Sequence, residues 1–208
     1  MCARVLLLMT YPDKPASTSL PVVDAIQDRW SPFAFSEQPI EEEKLRTIFE
    51  AARWAPSSYN EQPWRYVYAT KDDGAMREAM ESLLVEGNSW AKHAYLLIVS
   101  FASAHLARNG NENRFAMHDL GAANSNIAMQ LPSLGLVGHQ MGGFDALRSN
   151  EVLGVPSEYV PGSMIAIGYP GDVSDLSEDL RKRHDAQRIR KEQSEFVFHG
   201  KWEGNGMP

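Results

Sequence analysis

Two segments of the sequence bring together side chains that bind anions. In Arg29-Trp30-Ser31 a guanidinium and a hydroxyl stand two residues apart, so they can share one phosphate group. Between Arg181 and Lys191 the chain places six basic residues against one acidic residue, and this stretch contains Arg188 and Arg190 in an Arg-x-Arg pattern. Either segment alone also suits a solvated surface or a helix cap. Phosphate binding by these two segments is therefore a hypothesis, and a purely structural role for them is the alternative.

Two further segments suit the edge of a planar heterocycle. Between Pro56 and Pro63 a stiff loop carries polar side chains with few rotamers, namely Ser57, Ser58, Asn60 and Gln62. A flat ring with polar atoms on its edge needs a fixed polar rim of this kind. In Gln140-Met141-Gly142-Gly143 the paired glycines permit a close backbone approach, and a backbone N–H there can stabilise charge on a reduced ring. A capped loop and a plain turn explain the same residues equally well.

Taken together, the four segments resemble the nitroreductase family. The nearest branch carries Arg-Trp-Ser-Pro-Arg-Ala-Phe, followed by Ala-Arg-Trp-Ala-Pro-Ser-Ser-x-Asn-x-Gln-Pro-Trp. The second motif is complete here from Ala52 to Trp64. The similarity continues through residues 121–136, 140–145 and 167–170 and covers roughly residues 22 to 202. The resemblance implies an α+β fold with a central mixed or antiparallel sheet flanked by helices, assembled as an intertwined homodimer.

The resemblance also implies that FMN binds between the two subunits. Arg29 and Ser31 are then expected to contact its phosphate and ribityl chain, and Arg188 and Arg190 are expected to hold the phosphate from the other end of the same subunit. The partner subunit is expected to supply the loop that faces the flavin, with Pro56, Ser57, Ser58 and Asn60, and Gln62 is a further expected cofactor contact. The segment Gln140, Met141, Gly142 and Gly143 is expected along the reactive edge of the ring, and Asn88 near its pyrimidine.

One position departs from the pattern of this branch. Phe33 stands where a second arginine is usual, so a charge-assisted phosphate contact of about 1.5–3 kcal/mol is expected to be missing. The effect on FMN binding depends on whether Arg183, Arg188 or Arg190 replaces that contact.

The function implied by the resemblance is that of an NAD(P)H-dependent FMN oxidoreductase. Such an enzyme reduces nitroaromatics, quinones or similar conjugated electrophiles by a ping-pong mechanism, with NADH or NADPH as co-substrate. No catalytic side chain is expected, because flavin N5 carries the hydride. A flavin-binding carrier or sensor without efficient turnover is the alternative, and a structural homodimer that never binds flavin is a third hypothesis.

Composition and residue spacing argue against several other classes of function. The 208 residues suffice for one domain, and the net charge of −7 does not favour nucleic-acid binding. The six histidines form no metal-binding spacing, and the single cysteine, Cys2, excludes an internal disulfide. The apolar run Val5–Met9 is too short to span a membrane. We therefore expect a cytoplasmic protein with no metal, nucleic-acid or membrane partner.

The hydrophobic periodicity predicts helices interleaved with strands. Residues 1–21, rich in proline, serine and threonine, are expected to form a loosely held arm, and residues 22–208 one domain with a C-terminal extension. Helices are predicted at 22–30, 40–55, 72–84 and 115–134, and strands at 65–70, 95–101, 137–140 and 164–168. Pro132 is expected to kink the last helix near its end.

Overall fold

The computed structural model of the protein describes residues 14–202. The predictions for Cys2, for Val5–Met9 and for the first part of the 1–21 arm lie outside the described residues. The described chain contains the α-helices α1 (Asp24–Asp28), α2 (Glu42–Arg53), α3 (Gly74–Glu81), α4 (Ala116–Gln130), α5 (Ala146–Val152) and α6 (Glu178–Asp185). Its strands are β1 (Phe35–Ser36), β2 (Trp64–Thr70), β3 (Leu96–Ser103), β4 (Val137–Met141) and β5 (Tyr159–Pro170). Short 3₁₀ helices lie at Ser58–Asn60, Glu86–His93, Leu131–Leu134, Val173–Asp175 and Gln193–Glu195.

The long strand β5 lies at the centre of an antiparallel sheet. One edge of β5 pairs with β3, which in turn pairs with β2. The other edge is shared, because Met164–Gly168 pair with β4 and Tyr169-Pro170 pair with β1. These antiparallel pairs and the helices around them confirm the predicted α+β fold.

Both faces of the sheet are covered. Successive side chains of a strand point to opposite faces, and β3 is buried from Leu96 to Ala102. One face packs against α2 and α4, through Ile48, Leu120 and Ile127 among others. The opposite face packs against the segment that contains Phe33 and Phe35, and against α3. The mostly apolar sequence of β3 follows from this burial on two sides.

Helix α4 and the turn after it connect these layers to the surface. The α-helix ends at Gln130 and continues as a 3₁₀ turn that contains Pro132, close to the predicted kink. Gly135 then ends the turn with a φ of 69°, a conformation that favours glycine. Gly121 and Ser125 lie on the exposed side of α4, opposite its buried residues. Within residues 14–202 no helix is both long enough and apolar enough to cross a bilayer.

Candidate functional site

A cavity of about 980 Å³ lies where the two ends of the described chain meet α1 and the second half of α4. Three of the arginines predicted from the sequence to bind an anion line it together, namely Arg29, Arg188 and Arg190. Ser125 and Met129 of α4 form part of the opposite wall. The fold therefore places Arg29 in the same cavity as residues that lie some 160 positions further along the chain.

The cavity concentrates positive charge. Burial lowers the pKa of Arg29, and the charges of Arg188 and Arg190 lower it further. Burial also lowers the pKa of Arg188, with a further contribution from Arg190. Among the ion pairs of residues 14–202, none involves these three guanidiniums. Like charges held this close favour the binding of an anion between them.

Arg188 also has a structural role. Its guanidinium donates to the backbone oxygens of Lys14, Gln27 and Arg29, the last two at 3.0 and 2.9 Å. Arg29 in turn donates to the Ser31 hydroxyl at 3.3 Å, which keeps Ser31 beside the guanidinium. Arg190 is exposed and donates only to the adjacent Ile189 oxygen among the described residues. Arg190 is therefore the guanidinium with the most capacity left for a ligand.

A second group of predicted residues lies at the end of β4. The His139 ring donates from Nδ1 to the Pro32 oxygen at 2.8 Å, since a carbonyl can only accept, and this ties β4 to the segment after Arg29. Gln140 and Gly142 are exposed, whereas Met141 is buried. Burial is the main cause that lowers the pKa of His139, and the charges of Arg183 and Arg29 lower it further, which favours the neutral ring.

Asn88 supports the glycine turn. Its side-chain amide donates to the Gly143 oxygen at 2.8 Å, and its own oxygen accepts from the Trp90 ring at 3.3 Å. A β-carbon at position 143 would lie 2.6 Å from the Asn88 amide nitrogen, so a side chain there would displace the Asn88 amide. At Gly142, in contrast, nothing lies within 4 Å of such a β-carbon, and the backbone there borders open space.

The loop between Pro56 and Pro63 is held in a demanding backbone conformation. Tyr59, Asn60 and Gln62 have φ values of 52°, 59° and 48°, which non-glycine residues rarely adopt. The Gln62 amide donates to the Ser57 hydroxyl at 3.0 Å, and its side chain donates to the Asn60 oxygen at 3.0 Å. Three such residues in four positions persist only when surrounding contacts fix them, and such strain is concentrated at functional sites.

Asp119 anchors this loop to α4. The carboxylate is buried and accepts from the Ser58 backbone amide at 2.9 Å. Its other oxygen lies 3.0 Å from Nδ1 of the exposed His118. His118 and Asp119 are adjacent in the sequence, and this spacing suggests only a contact between the two side chains. The hydrogen bond from Ser58 to Asp119 could not be predicted from it.

The predicted site residues thus fall into three groups within one chain. Arg29, Arg188 and Arg190 line the cavity, whereas neither Asn88 nor the segment Gln140–Gly143 at the end of β4 is among its lining residues. The cavity borders α4 at Ser125 and Met129, and the loop with Ser57, Ser58, Asn60 and Gln62 is attached to the same helix at Asp119. Six residues of helix, roughly 9 Å along the axis, separate Asp119 from Ser125. Among residues 14–202 no cluster of three histidine, cysteine, aspartate or glutamate side chains suits a metal ion.

Phe33 lies in the core. Its side chain is buried, with the Trp90 and His139 rings at 5.1 and 4.9 Å between centroids. The Arg183 guanidinium of α6 lies 4.6 Å from the Phe33 ring centroid. Neither residue lines the cavity. The aromatic ring of Phe33 therefore fills part of the core. An arginine at position 33 would have to extend beyond the space that this ring occupies to reach the cavity.

Comparison with known proteins identifies the family. The sequence profile of the nitroreductase family matches residues 26–89 and 75–169. The chain belongs to the nitroreductase family. The matched ranges include Arg29, the Pro56–Pro63 loop and the Gly142-Gly143 turn, whereas Arg188 and Arg190 lie beyond them.

Relatives of this nitroreductase family member extend along most of the chain. The "Putative NADH dehydrogenase/NAD(P)H nitroreductase" of Archaeoglobus fulgidus is 30% identical over 173 residues, which are 80% of this chain and 95% of that protein. An uncharacterised 15.4 kDa protein of Mycolicibacterium smegmatis is 33% identical over 128 residues, 62% of this chain and 84% of its own length. A crystal structure described as an oxidoreductase containing FMN is 37% identical with a TM-score of 0.84, and the match covers 95% of this chain and all of that one.

Replacing Asp119 by alanine is expected to loosen the strained loop. The Ser58 amide would lose its buried acceptor, which costs about 1–3 kcal/mol of unfolding free energy. Hydrogen exchange at the Ser58 amide, measured together with urea unfolding, reports both effects. His118→Ala is the matched control, because it removes the exposed neighbour and leaves the Ser58 contact in place. Unchanged Ser58 exchange in the Asp119 variant would show that the carboxylate does not hold the loop.

Proposed function

We propose that this protein is an NAD(P)H-dependent FMN oxidoreductase that reduces a conjugated electrophile such as a quinone or a nitroaromatic compound. The observation that carries the proposal is the cavity in which Arg29, Arg188 and Arg190 converge. Its lining also contains Glu192, but among the described residues no carboxylate forms an ion pair with the three guanidiniums. A phosphate monoester has the charge and the oxygens that three guanidiniums require. The FMN-containing oxidoreductase that matches 95% of the chain supports the same cofactor.

The residues present fit FMN at both of its ends. Arg29, Ser31 and Arg190 would hold the phosphate and the adjoining ribityl chain, and Arg188 would add charge while fixing the backbone around them. The exposed Gly142 backbone has the open space that a ring needs for close approach. Asn88 would act by holding the glycine turn in place.

The proposal includes a homodimer. The Pro56–Pro63 loop lies away from the cavity within one chain, so a second chain would have to supply it to the ring. Several apolar side chains on the loop side and near α1 and α4 are exposed, and among them are Val23, Trp54, Tyr59 and Met117. Exposed apolar groups are common in interaction surfaces, and the small residues Gly121 and Ser125 on α4 permit a close approach of another helix. The proposed dimer interface includes these residues.

The overall reaction balances as one two-electron transfer. NAD(P)H loses a hydride and becomes NAD(P)⁺, while the acceptor gains two electrons and two protons, the second proton coming from water. Bound FMN supplies the ability to accept and release that hydride. The protein positions the two substrates in turn over one pocket, keeps positive charge beside the phosphate and excludes bulk water. A single shared pocket predicts ping-pong kinetics, and a cytoplasmic location would provide the NAD(P)H.

Anaerobic reduction of the purified protein tests the function. The protein is expected to be yellow, to release FMN on denaturation and to lose its flavin absorbance within seconds of mixing with NADPH or NADH. An FMN-bound protein whose spectrum does not change would instead be a carrier or a sensor. A protein that stays colourless after addition of FMN would overturn the proposed cofactor. Mass spectrometry of the released compound identifies the flavin in each case.

A further inference from the structure

The segment Lys14–Leu20, here called the N-terminal strap, forms one wall of the arginine-lined cavity. Its lining residues are Ala16, Ser17, Thr18, Ser19 and Leu20. The sequence predicts a loosely held arm here, but the structure places this part of the arm against α1 and the C-terminal stretch. The strap precedes residue 26, where the match to the family profile begins. It is therefore a feature of this chain beyond the matched region.

Contacts at one end anchor the strap firmly. The Lys14 ammonium donates to the backbone oxygens of His184 and Ala186, the second at 2.9 Å, and lies 5.0 Å from the centre of the Trp30 ring. The Lys14 oxygen accepts from Arg188. Further along, the Ala16 amide donates to the Gln27 oxygen at 2.7 Å. These bonds fix the backbone immediately before the lining hydroxyls, so the strap does not depend on a ligand for its position.

The hydroxyl groups of the strap differ in whether they already form hydrogen bonds within the protein. The Thr18 oxygen accepts from the Leu20 amide at 3.2 Å and shapes the turn. No hydrogen bond within residues 14–202 engages the side chains of Ser17 and Ser19, which border the same cavity as Arg29 and Arg190. A phosphate has more acceptor sites than two guanidiniums fill, and hydroxyls donate to it without adding to the crowded positive charge.

We propose that Ser17 and Ser19 of the N-terminal strap bind the phosphate monoester of the flavin cofactor together with Arg29 and Arg190. The assignment rests on the proposed function. It adds a phosphate-binding element that the four motifs of the sequence do not contain. It also gives the anchoring bonds of Lys14 a role, because they hold the two hydroxyls at the cavity.

Binding of FMN and of riboflavin separates this role from a structural one, because riboflavin lacks the phosphate. In the full-length apoprotein, Ser17→Ala combined with Ser19→Ala is expected to raise the Kd for FMN about tenfold and to leave the Kd for riboflavin unchanged. Both positions are exposed, so the fold should be retained. Lys14→Met, which releases the anchor without changing the cavity lining, is expected to act in the same direction. Ser133→Ala, a hydroxyl outside the cavity, is the control.

Each remaining outcome has a definite meaning. Wild-type affinity for FMN in the double serine variant overturns the strap assignment and leaves the proposed function intact. An equal loss of affinity for FMN and riboflavin also overturns it, because the strap would then act only on the fold. Failure of the wild-type protein itself to bind FMN would overturn the proposed function, and the strap assignment with it.

Discussion

Replacing Arg190 by alanine is expected to raise the Kd for FMN by about ten- to a hundredfold. A charge-assisted hydrogen bond to phosphate contributes about 1.5–3 kcal/mol, and each 1.4 kcal/mol is a factor of ten in affinity. Arg190 is the informative position because its guanidinium has one backbone partner, whereas Arg188 is bonded to three backbone oxygens and its loss would also disturb the fold. Fluorescence titration of the apoprotein with FMN measures the change.

Matched variants separate direct contact from long-range charge. Lys182→Ala removes one positive charge from α6, where it pairs with Glu178 and does not line the cavity, and should change the Kd for FMN little. Arg190→Lys keeps the charge and loses the planar fork, so an intermediate affinity is expected. The rate of hydride transfer at saturating FMN should be close to that of the wild type. Equal FMN affinity of the Arg190→Ala variant and the wild type would remove Arg190 from the phosphate site.

The elements that pack in the core are the ones that the sequence predicts well. The run at 95–101, apolar except for Ser100, predicts a buried strand, and β3 is such a strand. The 115–134 helix is also confirmed, with its change of geometry at Pro132. Periodicity succeeds in these places because local pattern and tertiary burial require the same side chains.

Short elements cannot be predicted from hydrophobic periodicity. β1 has only two residues, too few for any alternation, and its existence depends on pairing with Tyr169 and Pro170 of β5. α5 is seven residues long and begins where Asp145 accepts from the Arg148 amide, and its pattern gives no clear apolar face. The strand predicted at 164–168 extends in fact from Tyr159 to Pro170, because β3 pairs with its first part and β1 pairs with Tyr169 and Pro170.

The site likewise contains some features that the sequence predicts and others that it does not. Residue type and spacing single out Arg29, Arg188 and Arg190, and the fold places all three at one cavity. The bonds of Arg188 to carbonyls of Lys14 and Gln27 join residues more than 160 positions apart, and backbone acceptors leave no trace in side-chain patterns. The same holds for Asp119 and the Ser58 amide, 61 positions apart. Long-range contacts to the backbone are thus the part of a site that only the folded structure reveals.

Replacing Arg77 by methionine is expected to lower the free energy of unfolding by about 3–5 kcal/mol, because it leaves three backbone oxygens without their donor and also removes an ion pair. The Arg77 side chain is 5% exposed and pairs with Glu81 at 2.7 Å. It also donates to the backbone oxygens of Lys92, Ala94 and Tyr95 at 3.0, 2.7 and 3.1 Å. Methionine fills the space of the side chain and satisfies none of these acceptors.

The loss should extend to the site, because Arg77 fixes the end of the 3₁₀ helix Glu86–His93 that carries Asn88. Loss of that anchor would loosen the Asn88 bond to Gly143, so affinity for riboflavin should fall together with stability, in contrast to Arg190→Ala. Glu81→Gln is the control, since it removes the ion pair and leaves the three backbone bonds, and it should cost about 1 kcal/mol. Urea unfolding gives both values. A loss below 1 kcal/mol in the Arg77 variant would mean that water reaches the freed carbonyls and that this guanidinium does not anchor Asn88.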